Sequence, residues 1–254
     1  IISLITRYKQ EQILIPNVIE LLGRSTQGVT KPFICRCDDG HIYYVKGIDA
    51  NRSSQVKELI SALLASELNL PIAPYTKVYV ASELAKLTAF SGIGAGYAFG
   101  SRKLQVSELS ISGLKNIPEK TKMDVLAFDW WIKNWDRTLT VLGGNPNLFW
   151  QPEDKHLVVI DHNQAFDRNF SNMDFMNYHV FRGLLKNLFE DIVTTAEYAE
   201  RFESALSIWN TICTEIPEEW YFSDPEMTIQ ADVSLTEIKA VLDQVYQSDF
   251  WSLV

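Results

Sequence analysis

The sequence is short of several things, and each shortage removes a class of protein. It has three cysteines, Cys35, Cys37 and Cys213. An odd count without C-x-x-C spacing fits neither a disulfide framework nor a zinc site, and points to a reducing, cytoplasmic setting. No apolar run approaches the roughly 18 residues of a membrane span. Residues 1–5 are apolar but read as too short for a signal core, with Arg7 and Lys9 close behind. The first residue is not Met, so at least one residue is expected to precede it. Basic charge is scarce: 23 Lys and Arg against 32 Asp and Glu, a formal net charge of −9. Nucleic acid and anionic membranes select basic faces, so neither is an expected partner. A nucleotide stays open, because it needs only a local basic pocket and a metal. The patterns G-x-x-x-x-G-K-[ST], G-x-G-x-x-G and G-x-S-x-G do not occur, nor does an internal repeat or a low-complexity tract.

Apolar residues are plentiful, at 46% of 254 residues, with seven Trp, ten Tyr and thirteen Phe. That is enough for one large domain or two lobes sharing a cleft. Residues 30–36 and 41–46 read as strands joined by the hairpin turn Asp38-Asp39-Gly40. Residues 53–69 read as a helix, with Val56, Leu59, Ile60, Leu63, Leu64 and Leu68 at steps of three and four. Ser53 or Ser54 is the expected cap and Pro71 the stop. Residues 76–80 read as another strand. Helical patterns follow over 120–133, 185–215 and 234–254. Between them lies a strand pair, 147–150 and 157–160, turned by Pro152-Glu153-Asp154. The expected class is α+β, with a β-rich N-lobe (1–84) and a mainly helical C-lobe (85–254).

The chemistry gathers late in the chain. Asp136 is followed eleven residues on by Asn147, and fourteen further by Asp161, which closes the apolar run 157–160. An Asp, an Asn and a second Asp are what phosphoryl transfer requires: a carboxylate to orient a hydroxyl, and oxygen ligands for magnesium on ATP phosphates. Asp161 stands out, because a carboxylate ending an apolar strand is costly unless a charge meets it. Upstream, Lys46 ends a strand and Glu58 lies twelve residues on, in the helix, a pairing that can grip phosphates. Residues 23–28 (GRSTQG), with Ser25, Thr26 and Gly28, could curl over phosphates. Each has a plainer account when read singly: a solvated Lys, a surface Glu, a turn. Phe128, Trp130, Trp131 and Trp135 read as core, His162 as structural, and His41 and His156 as turn residues. Cys35 and Cys37 lie on one strand, where at most one is expected to face a cleft. Asp136 and Asp161 could form a glycosidase pair, but that leaves Lys46 and Asn147 without a role.

In order along the chain, these residues resemble the HipA-like kinases, atypical bacterial serine/threonine kinases distantly like protein and phosphoinositide kinases. The resemblance covers most of the chain from about residue 20. It rests on Asp39-Gly40-His41-Ile42-Tyr43-Tyr44-Val45-Lys46, Lys57-Glu58-Leu59-Ile60, Leu68-Asn69-Leu70-Pro71, Phe99-Gly100-Ser101-Arg102, Asn134-Trp135-Asp136-Arg137, Asn145-Pro146-Asn147-Leu148, Ile160-Asp161-His162 and Ile216-Pro217-Glu218-Glu219-Trp220. It implies a bilobal protein-kinase-like fold with ATP between the lobes. Asp136 would orient the substrate hydroxyl, Asn147 and Asp161 would bind Mg2+, and Lys46 would hold phosphates braced by Glu58. A hinge near residues 79–83 would offer the backbone of Tyr79 and Val80 to adenine. The implied substrate is a protein Ser or Thr. Ser25 and Thr26 are candidates for autophosphorylation, and a toxin-type growth regulator with a neutralising, antitoxin-like partner is implied as well. The stretch from Asp136 to Asn147 is longer than the family pattern, through residues 139–142, which leaves Asn145 as an alternative ligand. A nucleotide-binding pseudokinase and a small-molecule or lipid kinase are the competing readings.

Overall fold

In a computed structural model of the chain, residues 15–26, 30–140 and 143–252 are described. Alternating apolar residues build the first sheet: Phe33, Cys35 and Cys37 of β2 (Phe33–Cys37) point inward while Ile34 and Arg36 do not. The two cysteines are two residues apart, so they share that inner face, and neither faces a cleft. Burial pushes both thiols up to about 12, which makes them inert.

The sheet contains β1 (Val18–Arg24), β2, β3 (Ile42–Lys46), β4 (Tyr75–Val80) and β5 (Gly96–Arg102), in the order β1-β2-β3-β5-β4, every pair antiparallel. β5 comes last in sequence but lies between β3 and β4, so the sheet runs to Arg102, past the boundary expected after residue 84. Gly100 permits this close packing: a Cβ there would sit 2.9 Å from Val78 Cγ1.

α1 (Arg52–Glu67) follows β3 and is buried almost all round. Its cap is Asn51, not a serine; the Asn51 side chain accepts the Ser54 N–H at 2.7 Å. Val56, Leu59, Ile60 and Leu64 join the large core of the helical part, whereas the other face of the sheet closes over a separate, smaller core.

After a short helix, α2 (Ser82–Ala85), the chain completes β5 and passes through residues 103–106 to a second sheet, β6-β7-β8 (Ser107–Glu108, Leu148–Gln151, His156–Val159). α3 (Glu119–Trp131) is the central helix. Phe128, Trp130 and Trp131 are buried as expected, Trp131 stacking on Phe202 at 4.4 Å, but Trp135 is exposed. The pattern over 185–215 resolves into α5 (Leu185–Glu190), α6 (Ile192–Ala205) and α7 (Trp209–Glu215), after α4 (Asn172–Tyr178). Asp191 makes the first break by accepting the N–H groups of Val193 and Thr194 as the cap of α6. α8 (Leu235–Leu242) is the last α-helix among the described residues. The expected α+β class, antiparallel sheet first and helices after, is the one observed. No helix among the described residues is long and apolar enough to cross a membrane.

Candidate active site

β3 delivers Lys46 to the interior with its chain still in register opposite Phe99 of β5. Its ammonium meets Glu58 Oε1 from α1 and Asp161 Oδ1 at 2.9 Å. All three groups are largely out of water, so their interactions are stronger than at a surface. Burial alone would lower Lys46, but the two carboxylates outweigh it and lift the amine to about 12. Burial also raises Glu58, helped by the charge of Asp161 and opposed by Lys46. It works against Asp161 too, but the charge of Lys46 outweighs it and holds that carboxyl below its ordinary range. The single ammonium thus stands between two carboxylates from different parts of the chain. Asp161 follows the last residues of β8 in a left-handed conformation, φ +59°, which turns its carboxylate toward the cleft.

Asp136 and Asn147 meet despite their separation in sequence: Asn147 Nδ2 donates to Asp136 Oδ2 at 3.3 Å. The intervening chain is taken up by a small excursion. Thr140 and Gly143 close it with two backbone hydrogen bonds, at 3.0 and 3.1 Å. Gly144 then returns against the Thr138 carbonyl, where a Cβ would lie 2.4 Å from the oxygen. Asn147 is buried and Asn145 exposed, so the geometry favours Asn147 as the amide of the pair. Burial, then the like charge of Asp161, raises the Asp136 carboxyl.

Beneath these groups lies a hub that the sequence reading passed over. Arg137 and Asp129 are fully buried and paired, Nε to Oδ2 at 2.6 Å. Arg137 Nη1 donates to the carbonyls of Pro146 (3.1 Å), Asn147 (3.2 Å) and Ile160 (3.2 Å). Its Nη2 donates to His162 Nε2 at 3.1 Å, which leaves the His162 proton on Nδ1. His179 has the opposite tautomer: Nδ1 accepts the Phe181 N–H, so Nε2–H donates to Asp129 at 3.1 Å. Asn134 Nδ2 also donates to Asp129, at 2.7 Å. One guanidinium thus fixes the backbone at Asn147 and just before Asp161, and adjoins Asp136 in the chain. The available signal was Asp129 itself, a carboxylate set between Phe128 and Trp130 on an apolar helix.

A cleft of about 570 Å³ opens between sheet and helical part, lined by Lys46, Glu58, Asn147, Asp161 and Ser25. Leu104 and Val106 of the connecting segment form one wall. Asp136 reaches this space through Asn147. Thr26 is exposed and off the cleft, and Gly28 lies outside the described residues. Tyr79 and Val80 are displaced from their expected place. Val80 is buried in the smaller core, and the Tyr79 N–H is taken by the Pro16 carbonyl at 2.8 Å. The sheet continues through β5 before crossing, so the connection is at residues 103–106 rather than 79–83. Among the described residues no cluster of three His, Cys, Asp or Glu side chains is arranged for a metal. An all-oxygen pair, the Asn147 amide and the Asp161 carboxylate, nevertheless suits magnesium, which usually takes only one or two protein carboxylates.

Comparison with curated proteins gives no match. Among solved structures, the chain is similar to a Helicobacter pylori proinflammatory kinase, CtkA, at 9% identity and a TM-score of 0.49, over 94% of this chain and 93% of that one. That likeness is too distant to carry a function. The profile of the HipA-like kinases matches residues 18–254, nearly the whole sequence and all the side chains above. The chain belongs to the HipA-like kinase family.

Proposed function

We propose that the protein transfers the γ-phosphoryl group of ATP to a Ser or Thr hydroxyl of a protein, with magnesium, in the cytoplasm. The observation that carries this reading is the contact of Lys46 with both Glu58 and Asp161 across one cleft, beside the Asp136–Asn147 pair. Lys46 would exchange Asp161 for the α- and β-phosphates while Glu58 keeps it aligned. Asn147 and Asp161 would hold the metal, whose charge, when bound, neutralises and orients the β- and γ-phosphates. Asp136 would orient the substrate hydroxyl and accept its proton as the new O–P bond forms and ADP leaves; its raised pKa makes it the better acceptor.

The test is radiolabelled ATP transfer in a lysate. Asp136→Ala should cut transfer by about two decades or more while ATP affinity stays within about threefold, because positioning and charge stabilisation supply most of the rate. Asp161→Ala should weaken Mg-ATP binding itself. Wild-type turnover in both variants would refute the reading. Autophosphorylation at Ser25 or Thr26 belongs to the same proposal: Mg-ATP should leave phosphate within residues 23–30 by mass spectrometry, and an unmodified loop in an active protein removes it. So does a toxin-type role, which requires that expression slow growth and that Asp136→Ala relieve the effect. A second reading, a nucleotide-binding pseudokinase, rests on the eleven-residue spacing from Asp136 to Asn147, which exceeds the family pattern although the two side chains meet. Calorimetric ATP binding without any transfer would select it.

A further inference from the structure

The segment 216–220 (IPEEW) does not line the cleft, yet it makes polar contacts between the helical part and the first sheet. β3 ends at Lys46, opposite Phe99, whereas β5 begins farther back, at Gly96. The Tyr97 peptide lies beyond the last β3 partner and is completed from elsewhere. Its N–H donates to the Glu219 carboxylate. Its carbonyl accepts from Trp220 Nε1 at 2.8 Å and from Arg52 Nη1 at 3.3 Å. Gly96 holds φ at +93°, a conformation that favours glycine, and a Cβ there would press on the Glu219 carboxylate. Lys77 of β4 adds a second tie, donating to the Glu215 carbonyl at 2.8 Å and its carboxylate at 2.7 Å.

These contacts converge on the start of α1. Arg52 is its first residue and is buried; its Nε finds no partner among the described residues. One turn on, Gln55 donates to the Gly47 carbonyl at 3.2 Å and accepts the Phe99 N–H at 3.3 Å. Three residues later, on the same face, comes Glu58. Arg52 and Trp220 thus meet on the Tyr97 carbonyl while Glu219 holds the Tyr97 N–H, and Gln55 ties the same helix turn to β5 at Phe99.

We infer that residues 215–220 form a strap by which the helical part fixes the first turn of α1, and that Glu219 and Trp220 are positioning residues for the Lys46–Glu58 pair. The inference rests on the kinase reading of the same site. Hydrogen–deuterium exchange tests it without reference to activity. In Glu219→Ala, amides of residues 53–60 and 96–99 should exchange about tenfold faster while those of α6 are unchanged. Glu219→Gln, which keeps an acceptor for the Tyr97 N–H, should restore most of the protection. Acceleration everywhere, or nowhere, would overturn the strap. Mg-ATP affinity by calorimetry supplies the second arm. Glu219→Ala should weaken binding about tenfold in the wild-type background and less than about twofold when Glu58 is already Ala, because partners acting through one another are non-additive. Equal losses in both backgrounds would also overturn it. If the wild type binds no nucleotide, the kinase reading fails and the exchange arm alone decides the strap.

Discussion

A guanidinium without solvent needs an answer for each of its N–H groups, and Arg137 finds them in Asp129, three carbonyls and His162. Arg137→Met should destabilise the protein by roughly 3–5 kcal/mol, because it strands a buried carboxylate and frees the loop carbonyls. Arg137→Lys should rescue little, since an ammonium cannot reproduce the planar fork; urea unfolding of the three proteins checks both. His179 gives the hub a pH dependence. Burial lowers its pKa below the ordinary 6.5, so it is neutral when folded and takes up a proton more readily when unfolded. Its contribution is fully present above about pH 6.5 and is lost on acidification, by at most about 1.4 kcal/mol per pH unit. The midpoint of thermal unfolding should therefore fall between pH 6.5 and 5, and fall less in His179→Asn. This hub was hardly legible in the sequence. Arg137 and His179 look ordinary singly, and their meaning depends on burial that only the tertiary structure supplies. Lys46, Glu58 and Asp161 were legible because a strand end, a helix face and an apolar run ending in Asp each mark a position before any contact is known.

At the scale of elements, sequence and structure part most clearly at β5. Its sequence, GYAFGSR, holds two glycines, which strands disfavour. No strand is expected there: the N-lobe is expected to end at residue 84, and the family resemblance implies a hinge near residues 79–83. In the folded chain those glycines suit β5: Gly100 clears Val78, and Gly96 adopts a φ of +93° at the start of the strand. The loop from Asp136 to Asn147 shows the converse. Its length exceeds the family pattern and leaves Asn145 as an alternative ligand, but the hydrogen bonds between Thr140 and Gly143 set the surplus aside and bring Asp136 and Asn147 together. The demand falls on Gly144, whose added Cβ would strike the Thr138 carbonyl. Gly144→Ala should cost about 1–3 kcal/mol and should lower phosphate transfer more than Thr140→Ala does; parallel activity and unfolding measurements separate the two.

For the whole molecule, nucleotide binding should appear as stability. Mg-ATP at a hundredfold excess over its dissociation constant adds roughly 2.7 kcal/mol if it binds only the native state. The melting temperature should rise accordingly in the wild type and much less in Asp161→Ala. The two cores also divide the chain differently from the two sheets. α1 lies in the first part of the sequence, yet its Val56, Leu59, Ile60 and Leu64 belong to the core built around Trp130, Trp131 and Trp220. A fragment ending at Arg102 would keep every strand of the first sheet but would bare that apolar helix face to water. Such a surface is an aggregation liability, so the fragment should precipitate when produced alone and become soluble when the remainder of the chain is co-produced with it.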